Sequence, residues 1–234
     1  MLLILLVFGA ALPAYLLGSV NGAIIASHLF YRKDIRKFGS GNPGLTNFYR
    51  VFGKGGVLLL ILIDVIKTVA PVVFGGWLFW YFVPEMAVSE SWLFKSFFEL
   101  SLFGMATSGL FVVMGHSFPV FYGFKGGKGV MALGTIMFVF DWRLALITWG
   151  IFIVITLFTR FVSLGAIIGS AAIPFVQLYL LDLGGYWEFS AALLCSMLLI
   201  ARHKGNIKRL IKGEESKLRF GKSRDVAQKI EARD

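Results

Sequence analysis

Three polar, glycine-rich segments interrupt a chain that is otherwise strongly apolar, and each carries residue types suited to binding an anion. They read GSGNPGLTNFYR at residues 39–50, GHSFPVFYGFKGGKGV at residues 115–130 and RHKGNIKRLIKGEE at residues 202–215. Glycine lets backbone N–H groups converge on an anion, while lysine and arginine supply positive charge. Together the segments predict a site for an anionic group, if the fold brings them side by side.

The first segment joins glycines to neutral hydrogen-bond donors and ends on an arginine. Arg50 has the geometry for two parallel hydrogen bonds to a phosphate. A polar turn that caps the next helix, with Pro43 and Asn47 as turn residues, explains the same composition, and the segment alone does not separate the two interpretations. Its candidate anion-binding residues are Ser40, Gly41, Asn42, Gly44, Thr46, Asn47 and Arg50.

The second segment matches a nucleotide-binding P-loop only superficially. That motif needs a glycine, four residues and then Gly-Lys-Ser/Thr, but Tyr122 stands at the first glycine and Gly129 stands where a hydroxyl is required. ATP hydrolysis is therefore not expected. A helix is predicted to begin near Val130, and its N-terminus favours an anion; a positively charged turn beside a membrane span is the alternative. The candidate residues are Lys125, Gly126, Gly127, Lys128 and Gly129.

The third segment places Arg202, His203, Asn206 and Arg209 at spacings that share one helical face. His203 is a candidate base or donor, because the unperturbed pKa of histidine is about 6.5, and His116 in the second segment is another. A basic helix lying on anionic lipid would show the same pattern. This segment too is ambiguous by itself.

The elements that must position these segments are membrane helices. Of the 234 residues, 57% are hydrophobic and 15% charged, the mean hydropathy is +0.78, and apolar runs near the ~20 residues that cross a bilayer recur. We predict an all-α, polytopic transmembrane helix bundle; a five-span arrangement with segments in the interface is the alternative. The seven predicted spans cover about residues 2–30, 56–83, 99–115, 129–141, 143–159, 162–181 and 187–201.

Basic residues fall mainly on one side of this arrangement. With the N-terminus outside, the outer connections carry only Lys95 and Arg143 as basic residues, whereas the inner connections and the C-terminal segment carry the rest. This asymmetry predicts a cytoplasmic C-terminus. It also explains the net charge of +10 without a nucleic acid partner, and it places all three segments at the cytoplasmic surface.

Polar residues inside the spans form a separate set of candidates. Asp64 and Lys67 lie three residues apart and are expected to neutralise each other, as a structural pair or beside a functional site. Ser163, Ser19 and Asn21 are predicted either to line the same site or to hydrogen-bond across helices.

At these residues the sequence resembles a known family, the bacterial membrane acyltransferases that acylate glycerol 3-phosphate from acyl phosphate. Leu45 stands where the family commonly has alanine, and Met131-Ala132-Leu133 where Ala-Thr is common, but these apolar changes leave the candidate donors in place. The resemblance spans essentially the whole membrane portion and rests on three motifs in order: Ser40-Gly41-Asn42-Pro43-Gly44-Leu45-Thr46-Asn47, then Gly115-His116-Ser117-Phe118-Pro119 through Lys125-Gly126-Gly127-Lys128-Gly129, then Arg202-His203 with Asn206-Ile207 and Gly213-Glu214.

The resemblance implies a reaction between acyl phosphate and glycerol 3-phosphate that yields 1-acylglycerol 3-phosphate (lysophosphatidic acid) and phosphate. This is the first acylation of phospholipid synthesis, at the cytoplasmic face of the bacterial inner membrane, with membrane lipid as surroundings. It implies no cofactor, no metal, no nucleotide and no direct use of acyl-CoA or acyl-carrier protein. The sequence leaves the oligomeric state open, and a monomer is compatible with it.

The resemblance also suggests roles for the candidate residues. The first motif is expected to hold the phosphate of acyl phosphate, and Arg50, with the second motif, to hold glycerol 3-phosphate. His203, Asn206, Lys128 and Ser40 are the expected catalytic residues, and either His203 or the substrate's own phosphate takes the hydroxyl proton. The other expected substrate-binding residues are His116, Ser163 and Arg202.

Other classes fit the residues less well. Acyl-CoA-type acyltransferases need His, four residues and then Asp, a spacing that no histidine of this chain satisfies. Metal-dependent phosphoalcohol transferases need several carboxylates in one site, and only Asp64 lies inside a predicted span. A transporter of an organic phosphate is the main non-enzyme alternative.

The chain is expected to form one catalytic membrane domain at residues 1–201 and a basic cytoplasmic segment at residues 202–234.

Overall fold

The computed structural model describes residues 1–83, 97–182 and 185–218, and this part of the chain is helical without a strand. The predicted all-α class is therefore confirmed. The loop before the third span and the tail after Phe220 lie outside the described residues, apart from the start of α5. The helices are α1 (Leu2–Gly18), α2 (Gly22–Tyr31), α3 (Leu45–Phe52), α4 (Val57–Phe82), α5 (Phe97–Ser117), α6 (Val130–Phe140), α7 (Trp142–Thr159), α8 (Val162–Phe175), α9 (Tyr186–Arg202) and α10 (Lys204–Ile211).

Five stretches of the described chain are long and apolar enough to cross a membrane, namely Leu2–Tyr31, Val57–Phe82, Glu99–Tyr122, Trp142–Thr159 and Val162–Leu180. The protein is thus an integral membrane helix bundle. Helix α6 has 11 residues and α9 has 17, shorter than the ~20 that cross a bilayer without help. Each of the seven predicted spans is helical, but the number of crossings stays a prediction.

The first predicted span is not one continuous helix. Helix α1 ends at Gly18 and α2 begins at Gly22, and the side chain of Asn21 caps α2 by accepting from the Ile24 N–H. Asn21 also donates to the Pro43 carbonyl at 3.2 Å, so it ties the break to the first motif. Inside a membrane such a break is tolerated only where other groups satisfy the freed backbone.

The predicted tight hairpin at Asp141-Trp142-Arg143 joins α6 to α7. The Asp141 carboxylate accepts from the Arg143 and Leu144 N–H groups and forms an ion pair with the Arg143 guanidinium at 2.8 Å. Because acceptance from two N–H groups satisfies the first turn of α7, α7 starts directly after α6. The hairpin returns the chain to the end of the bundle that carries the motifs.

Helix α5 is the centre of the bundle, and glycines let its neighbours approach it closely. A Cβ on Gly104 of α5 would strike the Gly75 carbonyl of α4. On its other side, a Cβ on Gly115 of α5 would strike the Tyr15 carbonyl of α1. Since lipid supplies no hydrophobic drive between helices, such close backbone contacts are a main source of membrane helix association.

Replacing Gly104 with alanine is therefore expected to destabilise the bundle by about 1–3 kcal/mol, because the added methyl must push α4 and α5 apart. The matched control is Gly150→Ala in α7, where the added methyl meets nothing within 4 Å and helix propensity favours alanine by up to about 1 kcal/mol. Apparent melting temperatures in detergent measure both changes. Equal melting temperatures for the two variants would contradict this packing argument.

Candidate active site

A cavity of about 540 Å³ opens at the end of the bundle where the three motifs meet. We call it the principal cavity. Residues from each motif line it, which confirms that the fold brings the three segments together. Its polar lining includes Ser40, Asn42, Gly44, Thr46, Asn47, Arg50, Asp64, His116, Lys128, Gly129, Ser163, His203, Asn206, Arg209 and Glu215.

Three helices begin at this cavity. Helix α3 follows Gly44, α6 follows Gly129, and α10 follows His203, and no side chain caps any of the three. The first N–H groups of a helix have no partner within it and carry partial positive charge. Converging helix N-termini therefore make the cavity favourable for phosphate before any charged side chain is counted.

The predicted backbone donors of the glycines are largely used inside the loops. The N–H groups of Gly41, Gly44 and Gly127 donate to the carbonyls of Phe38, Asn42 and His116, each at 3.0 Å. These N–H groups therefore already have partners within the loops, and their binding of an anion stays a prediction. Gly41 instead adopts φ +72°, a conformation that favours glycine, and thereby shapes the turn before α3.

Asn47 acts on the first motif itself. Its side-chain oxygen accepts from the Ser40 N–H at 2.9 Å, and its amide donates to the Phe38 carbonyl at 3.0 Å. Because these bonds use both ends of the side chain, Asn47 holds the turn in shape, and it offers little to a ligand. Ser40, Asn42 and Thr46 line the principal cavity.

The second motif is fixed from both sides. Arg202 donates to the carbonyls of Gly126 at 2.9 Å and Gly127 at 3.2 Å, and its guanidinium lies over the Phe118 ring. A Cβ on Gly127 would strike Nε2 of His116, so the loop needs glycine to pass over the imidazole. The structure thus places Arg202, Gly126 and Gly127 outside the principal cavity and assigns them to support of the loop that presents Lys128.

Lys128 lines the cavity together with Arg50 and Arg209. Its ammonium group donates to Oδ1 of Asn206 at 2.5 Å. Burial lowers the pKa of Lys128 to about 8, with the neighbouring positive charges of Arg209, Arg202 and Arg50 acting in the same direction. The side chain is therefore still mostly charged at neutral pH, but it loses its proton in a mildly alkaline solution.

His203 is buried and neutral. Burial, with a smaller contribution from the nearby Lys128 charge, lowers the pKa of its imidazole to about 4. Its Nδ1 lies 2.8 Å from the Leu199 carbonyl, and because a carbonyl can only accept, Nδ1 must carry the proton. The lone pair on Nε2 is then the one available to a hydroxyl group in the cavity.

Glu215 is the residue that reasoning from sequence missed. Its carboxylate accepts from the Ser163 hydroxyl at 2.7 Å and the Asn206 amide at 2.6 Å, and it pairs with Arg209 at 2.7 Å. Burial raises the pKa of Glu215, but these hydrogen bonds outweigh it and lower the pKa overall. An acidic residue directly after a long basic run was the signal available in the sequence.

An apolar pocket of about 40 Å³ adjoins the principal cavity between α6, α7 and α8. Its lining includes Leu133, Met137 and Ile173. The two spaces share Val130, Trp149, Phe152 and Ala166. The polar lining among the motifs therefore continues into a mostly apolar lining between the helices.

Lys125 does not reach the principal cavity. It lies with Gly41, Gly126 and Arg202 on a neighbouring cavity of about 430 Å³. The predicted binding residues that do not line the principal cavity are Gly41, Lys125, Gly126, Gly127 and Arg202.

A buried ionic network of Asp64, Lys67 and His116 lies next to the principal cavity. Lys67 pairs with Asp64 at 2.8 Å and also donates to the Val20 carbonyl and to Nδ1 of His116, at 2.5 and 2.9 Å. The predicted Asp64–Lys67 pair is thus confirmed. Because an ammonium group can only donate, Nδ1 of His116 accepts and the imidazole proton is on Nε2; His116 is therefore unable to act as a general base while this bond holds.

Breaking this network is expected to be costly. Lys67→Met leaves the Asp64 carboxylate and the Val20 carbonyl without their donor, and loss of one partner of a buried pair costs about 3–5 kcal/mol. The double variant Asp64→Asn/Lys67→Met removes both charges and should regain part of that loss. Melting temperatures in detergent, with Lys54→Met as the exposed-lysine control, measure the difference; a double variant that is less stable than Lys67→Met would contradict the ion-pair interpretation.

Comparison with known proteins places this site in a family. The family model described as glycerol-3-phosphate acyltransferase matches residues 8–213. The glycerol-3-phosphate acyltransferases of Francisella tularensis subsp. novicida (strain U112) and Francisella philomiragia subsp. philomiragia are each 35% identical over 211 residues, which is 90% of this chain and 92% of the relative.

Two crystal structures of PlsY (YgiH), an integral membrane glycerol 3-phosphate acyltransferase, are similar to this chain. The glycerol 3-phosphate form gives a TM-score of 0.73 at 30% identity and covers 91% of this chain and 96% of that one. The lysophosphatidic acid form gives 0.69 at 28% identity and covers 95% and 98%. With this fold, three motifs around one cavity, and a family model that matches nearly the whole described chain, the protein belongs to the glycerol-3-phosphate acyltransferase family.

Proposed function

We propose that the protein transfers an acyl chain from acyl phosphate to glycerol 3-phosphate, giving lysophosphatidic acid and inorganic phosphate. The proposal rests on two adjoining cavities: a polar cavity at three helix N-termini, and an apolar pocket that continues from it. A soluble phosphate ester and a lipid-like phosphate ester need such a pair of spaces to meet. The basic loops and the membrane-spanning helices suit the cytoplasmic face of the bacterial inner membrane.

The acyl phosphate is proposed to lie with its chain toward the apolar pocket and its phosphate at the start of α3. There, Ser40, Asn42 and Thr46 line the cavity together with the free N–H groups of the first turn. These donors are neutral. Phosphate held by neutral dipoles is bound without a permanent counter-charge, which suits a leaving group that must depart.

Glycerol 3-phosphate is proposed to bind opposite, on the cationic and amide side of the cavity. Arg50, Lys128, Ser163, His203 and Asn206 line that side. Asn206 accepts from Lys128 and donates to Glu215, so it holds the Lys128 ammonium group in place for contact with the substrate phosphate. Preformed donors of this kind contribute to catalysis because they are not reoriented during the reaction.

The transfer itself needs no covalent enzyme intermediate. The glycerol hydroxyl oxygen attacks the acyl carbon, a tetrahedral oxyanion forms, and the bond from the acyl carbon to the phosphate oxygen breaks. His203 can accept a hydrogen bond from the hydroxyl through Nε2, but a pKa of about 4 makes it a weak proton acceptor. A phosphate group, whose second pKa is about 6, is the better final acceptor, so the hydroxyl proton is proposed to go to phosphate.

The proposal is tested with the purified chain in detergent. Acyl phosphate and glycerol 3-phosphate together should yield lysophosphatidic acid and phosphate, and omitting glycerol 3-phosphate should abolish the lipid product. Replacing acyl phosphate with acyl-CoA should give no product, because the site is expected to bind the donor through its phosphate. Product from acyl-CoA alone would refute the donor assignment, and no product from either donor would favour the transporter alternative.

Lys128 gives the reaction a predicted alkaline limit. A lysine with a lowered pKa is charged below that pKa and neutral above it, so glycerol 3-phosphate should bind less well as the pH rises through about 8. The KM for glycerol 3-phosphate, corrected for chemical hydrolysis of the donor, should therefore increase above this pH.

Two variants make the pH prediction specific. Lys128→Arg keeps its charge at high pH, so the rise in KM should move to a higher pH. Lys128→Ala should raise KM at every pH or abolish activity, with no step near pH 8. Wild-type kinetics in a folded Lys128→Ala protein would remove Lys128 from the proposed site.

A further inference from the structure

A second cavity, of about 430 Å³, lies beside the principal one, and the proposed chemistry does not use it. We call it the basic vestibule. The two cavities have Ser40, Asn42, Lys128, Asn206 and Arg209 in common. Four separate parts of the described chain border the vestibule: Arg36, the turn at 40–43, the loop at 124–128, and the residues around the start of α10.

The charged side chains in the described lining of the vestibule are all positive. Five cationic side chains line it, and its described lining holds no aspartate or glutamate. Two of the five are neutralised from outside the lining, because Arg36 pairs with Asp34 at 2.8 Å and Arg209 pairs with Glu215 at 2.7 Å. The three that remain are Lys125, Lys128 and Arg202.

These three cations make no ion pair within the described residues. Lys128 bonds to the Asn206 amide, and Arg202 bonds to the carbonyls of Gly126 and Gly127. Amide and carbonyl oxygens orient these side chains without supplying a counter-charge, while Glu215 attracts the Lys128 ammonium group but also pairs with Arg209. Three cations around one open space attract an anion and raise its local concentration.

Lys125 is held at the rim by a strained turn. Phe124 adopts φ +61°, a left-handed conformation that is unusual for a bulky residue, and its N–H donates to the Pro119 carbonyl at 2.9 Å. The turn presents both Phe124 and Lys125 to solvent. Local strain of this kind persists where the surrounding structure fixes it, often at functional positions.

We propose that the basic vestibule is a second binding station for a phosphate dianion, distinct from the position where the acyl group is transferred. The inference rests on the proposed function, in which one phosphate ester must enter from water and inorganic phosphate must return there. Lys128 lines both cavities, so a phosphate can pass from the vestibule to the principal cavity while contact with this ammonium group is kept. The apolar pocket leads in the other direction, toward the lipid.

Two sources supply the same chemistry: glycerol 3-phosphate on its way in, and inorganic phosphate on its way out. Kinetics distinguish them in Lys125→Gln and Lys125→Glu, with lysophosphatidic acid formation as the readout. If the station serves entry, the KM for glycerol 3-phosphate rises; if it serves exit, the inhibition constant of added inorganic phosphate rises. Loss of one charge next to a dianion should change either constant about threefold, and charge reversal about tenfold.

The turnover number should change by less than about twofold, because Lys125 lies away from the reacting atoms. Lys54→Gln and Lys54→Glu are matched controls, since Lys54 is exposed and lines neither cavity. They remove or reverse the same charge without touching the vestibule, and neither constant should change. Unchanged constants in Lys125→Glu, or equal changes in Lys54→Glu, would overturn the proposal.

Binding without turnover gives an independent readout. Calorimetric titration of the full chain with inorganic phosphate should reveal two classes of site, and Lys125→Glu should remove one of them and leave the other. A single class in the wild type, or an isotherm unaffected by Lys125→Glu, would overturn the inference. Two classes in a protein without acyl transfer would instead refute the proposed function and leave the phosphate station standing.

Discussion

The site depends on one buried ammonium group. Lys67 lies inside α4, almost fully removed from solvent, and its donors reach the Val20 carbonyl, Asp64 and His116. In a bilayer, the carbonyl left open where the first span breaks has no water to bond, so a donor from a neighbouring helix must satisfy it. On the other side of the break, the Asp64 carboxylate accepts a hydrogen bond from the Gly22 N–H at 3.2 Å. The break, α4 and α5 are thereby fixed relative to one another.

From this network, hydrogen bonds lead outward to the motifs. The His116 carbonyl accepts from Gly127, and Arg202 holds the neighbouring carbonyls from the far side. The loop between them can then present Lys128 to the cavity at a fixed position. The charged and glycine-rich residues of the second motif thus divide into two roles: support of the loop, and contact with the ligand. Both roles need the same residue types, which explains why they occur together in one short segment.

The sequence was sufficient for the membrane helix class, for the three motifs and for their meeting at one site, because hydrophobic runs and glycine-rich breaks are local patterns. It was not sufficient for the division of roles. The glycine N–H groups looked like anion donors until their bonds to Phe38, Asn42 and His116 were known. Arg202 and Lys125 looked like equivalent cations, whereas one supports a loop and the other lies on a second cavity. The role of Glu215 was not predicted for two reasons. Its partner Ser163 is 52 residues away in the chain, and Glu215 follows the end of α10, so no helical periodicity relates it to Asn206.

The proposed reaction requires one cavity to hold two phosphate esters. Two dianions repel each other, and a site of permanent cations would bind them tightly but would also retain the phosphate product. Here, uncapped helix N-termini are proposed to share the stabilisation with the side-chain cations, and burial lowers the pKa of one of those cations, Lys128, to about 8. Arg209 is balanced by Glu215. The cationic lining extends into the vestibule, and its field is proposed to draw a freed phosphate away from the lipid and toward water.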